Sequence, residues 1–429
     1  MKKWLVFIMV LLGMVVIAAC ADDSSQEEEG GSDAGADADA ASEGGDATTL
    51  SFIHWRGEDK EVFEDIIAQF EEANPDITVE MNIYPSEQYQ SNAPQLLRDG
   101  SIGDVFTSFP GSQFETLQDA GFFADLSDEG FVSKFSEGSL GVGQADGKQL
   151  AIPYQMVFNM PIYNKGMFEE LGLEPPTNWS EYQEVADTLI ENDIVPIAFP
   201  GADIGPNQMM NSMMMNNAKD EDVFQKLEAG EESLTNEWWT STLEDFKFFN
   251  DNGYFQNDAL GTNQDSAMQM VANEEAAMLA TGSYHMATLK ELNPDLEMDF
   301  LPPMTVEEGE VEYEGIHTAT FMLAIHENSE KKEEARKFID FLSDTEIASQ
   351  YANGTGQHLT VKDVQYDSEE LQNTSYWITD KKTRFQPRYL ITNASVEDAV
   401  LGSIENVLGG ASAEDAAEEA QKIVDENIE

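Results

Sequence analysis

Residues 55–58, Trp55-Arg56-Gly57-Glu58, bring an aromatic ring, a guanidinium and a carboxylate together at the end of an apolar-rich stretch. Arg56 is one of only five arginines beyond residue 47, which makes it a candidate hydrogen-bond donor or carboxylate partner. Motifs for covalent chemistry are missing. The sequence has no GxxxxGK[ST] phosphate loop, no HExxH among its five histidines and no GxSxG elbow. With 83 acidic residues, carboxylate pairs carry no signal. The two carboxylates of a glycoside hydrolase, or a metal site built from Asp and Glu, would therefore be unmarked. Nothing demands catalysis, and no catalytic residue or cofactor is expected.

The elements that must position these groups are legible. Residues 49–55 read as a strand. Val62, Phe63, Ile66, Ile67 and Phe70 recur at helical spacing until Asn74-Pro75 stops the helix. Ile77, Val79, Met81 and Ile83 alternate as a second strand, and Asp104-Val105-Phe106 marks a third after a short helix closed by Leu96-Leu97. Strand, helix, strand, helix, strand implies an α/β layer with a parallel sheet. The pattern then restarts. Residues 150–158 are extended, and Ser180-Glu181-Tyr182-Gln183 reads as a capping box opening a helix with Tyr182, Val185, Leu189 and Ile190 inward. Strands are expected over 195–199, 278–281, 298–301 and 318–325. Helices are expected over 238–249, 266–273, 331–342, 396–408 and 413–428. The methionines of residues 207–215 read as core packing, as do Trp238 and Trp239.

At 429 residues the chain is too long for one ordinary core, so two domains are expected. A net charge of −61 argues against a nucleic-acid binder, which needs clustered Lys and Arg, and against docking on an anionic bilayer through a basic patch. A single Cys excludes an internal disulfide and a multi-Cys metal site. That Cys follows Lys2-Lys3, an apolar run over residues 4–17 and Ala18-Ala19. The run is shorter than the ~20 residues of a relaxed membrane-spanning helix. It reads as an export signal over residues 1–19. It resembles a bacterial lipoprotein signal, in which Cys20 would be acylated as the mature N-terminus, although Ile17 stands where Leu is more usual. Residues 20–47, acidic and without aromatics, read as a disordered tether.

Several segments, in order, carry a further resemblance: Phe52-Ile53-His54-Trp55, Phe70-Glu71-Glu72-Ala73-Asn74-Pro75, Gly103-Asp104-Val105-Phe106, Asp146-Gly147-Lys148-Gln149-Leu150-Ala151-Ile152-Pro153-Tyr154, Pro175-Pro176-Thr177-Asn178-Trp179, Thr281-Gly282-Ser283-Tyr284 and Glu334-Ala335-Arg336-Lys337-Phe338-Ile339. Over about residues 48–429 the body resembles the extracellular solute-binding proteins of ABC importers, family 1, the sugar-binding group. The resemblance implies an α/β, two-lobed periplasmic-binding-protein-like fold of type II, its discontinuous lobes joined by hinge strands. The first lobe is expected to comprise residues 48–156 and 299–345, the second 157–298 and 346–429, with crossings near 153–159, 298–303 and 343–351. It implies a non-enzymatic monomer, lipid-anchored outside the cytoplasmic membrane. Such a protein captures a sugar or oligosaccharide between its lobes and passes it to ABC permease subunits. An acidic or amine-containing solute is the alternative, and a surface glycosidase or adhesin a more distant one. The ligand contacts implied are Trp55, with Arg56 and Glu58 beside it; Asp104 and Phe109 around the third strand; Tyr154 and Gln155 at the first crossing; Tyr284, where a stacking Trp is usual; and His317, Trp377 and Arg388.

The acidic surface generates the first prediction. Self-repulsion is screened by salt, so the melting temperature should rise as NaCl is increased from ~0.1 M to ~1 M. A fall would contradict an adaptation to saline or alkaline surroundings.

Overall fold

The computed structural model describes residues 47–98 and 100–428. The expected signal, Cys20 and the tether up to residue 46 lie outside the described residues. The central strand Thr48–His54 is buried along almost its whole length because parallel neighbours flank it on both sides, Ile77–Ile83 and Val105–Ser108. Phe52 sits opposite Met81 on one side and Val105 on the other. Ile77–Ile83 is an edge strand and correspondingly half-exposed. Helix Lys60–Ala73 returns the chain between them, burying Phe63, Ile66, Ile67 and Phe70 against the sheet, and ends at Asn74 before Pro75. Beyond Val105–Ser108 the sheet continues antiparallel through Gly315–Ile325, Ile152–Val157 and the two-residue strand His358–Leu359.

A second, four-stranded sheet is ordered Met298–Phe300, Ile162–Asn164, Ala276–Leu279, Val195–Ala198. Its core takes in Met209, Met210, Met213, Met214 and Met215 together with Trp238 and Trp239, all as packing residues. The helix after it differs from expectation at its start. Asn178, rather than Ser180, caps helix Trp179–Glu191, its side chain accepting from the Glu181 backbone N–H. Asn accepts such a bond as readily as Ser, and Glu181 instead binds the Thr177 backbone N–H and hydroxyl. Ile190, expected inward, is exposed at the end of that helix.

Buried apolar side chains separate into a first-lobe core, reaching from Leu50 to Tyr154 and from Phe321 to Leu371, and second-lobe clusters holding the remainder. The chain crosses between lobes along Ile152–Val157, with Tyr154 in one core and Phe158, the residue after the strand, in the other. It returns within Gly315–Ile325, where Ile316 and Phe321 are divided in the same way. The expected return at residues 298–303 is corrected by this division, because Met298–Phe300 pairs with Ile162–Asn164 and Leu301, Met304 and Tyr313 pack in the second lobe. The third crossing also lies later than residues 343–351. Helix Thr345–Thr355 buries Ile347, Ala348, Tyr351 and Ala352 in the first core, and the chain leaves only between Leu371 and Trp377. At the return crossing Phe321 adopts φ 50°, a conformation disfavoured for an aromatic residue and held here by packing against Trp55, Phe63 and His54. Among the described residues no helix is long and apolar enough to cross a membrane.

Two histidines of this lobe are buried as neutral rings. Burial, reinforced by Arg56, lowers the pKa of His54 to about 3, and burial lowers that of His358 to about 4. Unfolded histidine titrates near ~6.5. Their contribution to stability is therefore complete above that pH and is lost as pH falls toward the folded values, because the unfolded chain takes up protons the native state refuses. Each histidine contributes a slope of up to ~1.4 kcal/mol per pH unit. The urea midpoint should fall from pH 7 to pH 5, and His358→Gln should flatten that fall. Carboxylate protonation relieves repulsion and acts in the opposite sense, so the difference between variant and parent is the deciding measurement.

Candidate functional site

The carboxyl ends of the parallel strands, where α/β sheets present ligand groups, open on a cavity of about 530 Å³ between the lobes. This volume falls within the ~300–1,000 Å³ range of small-molecule sites. From the first lobe it is lined by Trp55, Arg56 and Glu58 after Thr48–His54, by Ile83, Tyr84 and Pro85 at the end of Ile77–Ile83, and by Phe109 after Val105–Ser108. Gln155, Val157 and Thr320 come from the two crossing strands. The second lobe supplies Asn159, Gln208 from helix Gly205–Met213, Gln264 at the start of helix Gln264–Ala272, Tyr284 and His285 after Ala276–Leu279, and Tyr389.

A buried polar network forms the base of the first-lobe side. The Arg56 guanidinium donates to both Asp59 carboxylate oxygens, from Nε at 2.8 Å and from Nη2 at 3.0 Å, and its Nη1 lies 2.9 Å from Glu58. Asp59 also accepts from the Tyr351 hydroxyl and from Gln155 Nε2 at 3.3 Å, and Gln155 Nε2 lies 2.5 Å from the Tyr351 oxygen. Burial opposes the Arg56 charge, but the Asp59 and Glu58 carboxylates outweigh it and raise its pKa, so the guanidinium stays protonated. The Arg56 backbone N–H donates to His54 Nδ1 at 3.1 Å, which fixes the loop from the strand side.

Aromatic rings form the walls. Trp55 stacks on Phe109, with centroids 3.7 Å apart and planes at 21°, and is also packed by Tyr89 and Phe321. Only 8% of Trp55 is exposed, so it serves mainly as the backing of Phe109, whose outer face is open to the cavity. Across the cleft, the Arg56 guanidinium lies 5.8 Å from the Tyr284 ring centroid, within cation–π range. Gly282 permits this placement, since a Cβ there would lie 2.6 Å from the Tyr284 ring and 2.5 Å from Asn159 Oδ1. His285 Nδ1 is 2.7 Å from the Thr281 hydroxyl, and burial, with Arg56 adding to it, lowers the His285 pKa to about 3, so the ring is neutral.

Several polar atoms of the lining are buried without a protein partner. These are Asn159 Oδ1, Gln208 Oε1, both terminal atoms of the Gln264 amide and the Tyr284 hydroxyl, whose neighbour Thr281 is engaged by His285. Unpaired buried polar groups are costly, and each invites a ligand hydrogen bond.

Of the expected contacts, Trp55, Arg56, Glu58, Phe109, Gln155 and Tyr284 border the cavity. Five do not. Asp104 lies just before Val105–Ser108, at the amino end of that strand and so away from the cavity, where it accepts from Ser51 N at 2.9 Å, Ser329 Oγ at 2.6 Å and Lys331 Nζ at 2.8 Å. Burial works against its charge, yet these bonds hold its pKa below the usual carboxylate range. Tyr154 points into the first core and donates to the Leu342 carbonyl at 3.0 Å. His317 Nδ1 meets the Thr383 hydroxyl at 2.9 Å. Trp377 donates to Asp299 at 2.9 Å inside the second lobe, with Gly315 packed against its ring. Arg388 is buried against Glu397, one layer behind Tyr389. Residue type alone did not mark Gln208, Gln264, His285 or Tyr389, which come from separated segments. Asp59 and Tyr351 could be joined only by the packing of helix Thr345–Thr355.

The bacterial extracellular solute-binding protein model matches residues 56–349. The chain belongs to this family. It is 24% identical over 333 residues to the multiple sugar-binding protein of Streptococcus mutans, covering 75% of this chain and 77% of that protein. Among solved structures it is similar to a chitin oligosaccharide binding protein (TM-score 0.77, 19% identity, 89% of this chain and 99% of that one). It is also similar to RafE in complex with raffinose (TM-score 0.75, 18% identity, 89% and 100%). The α/β, two-lobed fold with hinge strands is that of these solute-binding proteins.

The wall geometry orders the aromatic residues by role. Phe109→Ala and Tyr284→Ala, both half-buried and lining the cavity, should weaken ligand affinity about two- to tenfold with a smaller change in melting temperature than Trp55→Ala, at ~0.5–1.5 kcal/mol per aromatic contact. Trp55→Ala should lower the melting temperature as well, because its ring is packed on three sides. Titration calorimetry and thermal melts on the three variants separate these outcomes.

Proposed function

We propose that this protein captures a neutral sugar or oligosaccharide outside the cytoplasmic membrane and delivers it, chemically unchanged, to the permease of an ABC importer. One observation carries the reading: a cavity walled by Phe109, Tyr284 and Tyr389 and edged by amide and hydroxyl groups that lack protein partners. Stacking faces beside unsatisfied donors and acceptors match the two sides of a pyranose ring. The similarity to sugar-binding relatives supports the same class of ligand. Closure of the lobes about their crossing strands would bury the ligand between contacts from both sides. Residues 1–20 support anchoring through an acylated Cys20.

The charge arrangement favours a neutral ligand over an acidic one. Arg56 is already engaged by Asp59 and Glu58, and Arg388, which would have had to converge on the cavity, is committed to Glu397. An anion would meet Glu58 without a free guanidinium to compensate. Among the described lining residues Glu58 is the only carboxylate, whereas glycoside cleavage uses two. This supports binding rather than hydrolysis.

Calorimetry with raffinose, stachyose, chitin oligosaccharides and a uronic-acid oligomer tests the reading. Heat is expected with a neutral oligosaccharide and none with the acidic one, and chromatography should recover the bound sugar intact. No heat from any carbohydrate, or a cleaved product, would overturn it.

A further inference from the structure

The two lobes also meet beside the cavity, through side chains that are not part of its lining. Helix Ser112–Asp119 of the first lobe begins at Ser112, whose hydroxyl donates to the Glu397 carboxylate on helix Ala394–Leu408 of the second lobe. The other Glu397 oxygen accepts from Arg388 Nε at 2.5 Å. Ser112, Glu397 and Arg388 are all buried, at 7%, 6% and 4% exposure. The Arg388 guanidinium lies 5.6 Å from the centroid of the Tyr389 ring, which lines the cavity, and its backbone N–H is held by Asn211 Oδ1 at 3.0 Å. The approach is close at the backbone as well. Gly111, at φ 81°, has no Cβ, and one there would lie 3.0–3.2 Å from the Ile391 carbonyl oxygen and from the backbone of Tyr389. A carboxylate set at a helix N-terminus is also favoured by the helix dipole.

We infer that Glu397 is a positioning residue that couples the ligand wall to lobe closure. Through Arg388 it holds Tyr389 on its own lobe, and through Ser112 it holds the opposing lobe against that wall. Arg388 thus acts on ligand only through Tyr389. The bond to Ser112 exists only when the lobes are together, so it should act on ligand escape. Breaking it raises the population of separated lobes without removing any group that touches ligand.

Ser112→Ala removes the inter-lobe donor and leaves the Arg388–Glu397 pair intact, so it should fold normally, and Ser112→Thr keeps a hydroxyl. With raffinose as the probe, stopped-flow should show the dissociation rate of Ser112→Ala raised about five- to tenfold, the association rate within about twofold of the parent, and recovery in Ser112→Thr. An unchanged dissociation rate would overturn the proposal. The kinetic arm rests on the carbohydrate reading; small-angle scattering of the ligand-free full chain does not. If raffinose fails to bind the parent, that reading loses support, and the latch is judged by scattering alone. A larger radius of gyration in Ser112→Ala than in parent and Ser112→Thr supports it, and identical values overturn it.

Discussion

The buried pair between Arg56 and Asp59 is the constraint on which the cleft depends. Two parallel hydrogen bonds fix the guanidinium plane, and Glu58, Tyr351 and Gln155 engage the remaining valences. A buried charge left alone is expensive, about 3–5 kcal/mol when one partner of such a pair is removed. The pair therefore dictates where three otherwise independent segments must lie: the loop after the first strand, a crossing strand and helix Thr345–Thr355. Because Tyr351 packs beside Tyr154 and Phe63, the same network ties the cleft to the first-lobe core.

From that fixed point the recognition surface follows. With its N–H groups engaged by carboxylates, the Arg56 guanidinium still reaches the second lobe by lying over the Tyr284 ring. Trp55 is committed to supporting Phe109, so the exposed stacking surface shifts one residue outward from the position that residue type suggests. The unsatisfied amides sit mostly on the second lobe, the aromatic platform and charge network mostly on the first. A ligand that satisfies both must touch both lobes, which is what a closing cleft requires.

Much of the first lobe was legible because its signals are local. The apolar periods of Phe63, Ile66, Ile67 and Phe70 and the stop at Asn74-Pro75 lie within a few residues of the elements they define. Trp55, Arg56, Glu58 and Phe109 line the cavity because the carboxyl ends of parallel strands open on the same side of the sheet. Asp104, by contrast, stands before the amino end of the strand that Phe109 follows, where Ser51 and Lys331 take it. Trp377, Arg388, His317 and Tyr154 misled because aromatic and charged types serve buried structure as readily as ligand contact, and only their partners distinguish the two.

The sequence by itself determined the α/β alternation of the first lobe, the absence of covalent-chemistry motifs and the acidic charge, since these rest on composition and short-range periodicity. Tertiary structure decided where the chain changes lobes, which arginine faces the cleft and which is hidden behind Tyr389, and how Ser112 comes to meet Glu397 across 285 positions of sequence. Those outcomes depend on which surfaces pack together. That is settled by the simultaneous burial of distant segments and the pairing of their charges, which no local pattern encodes.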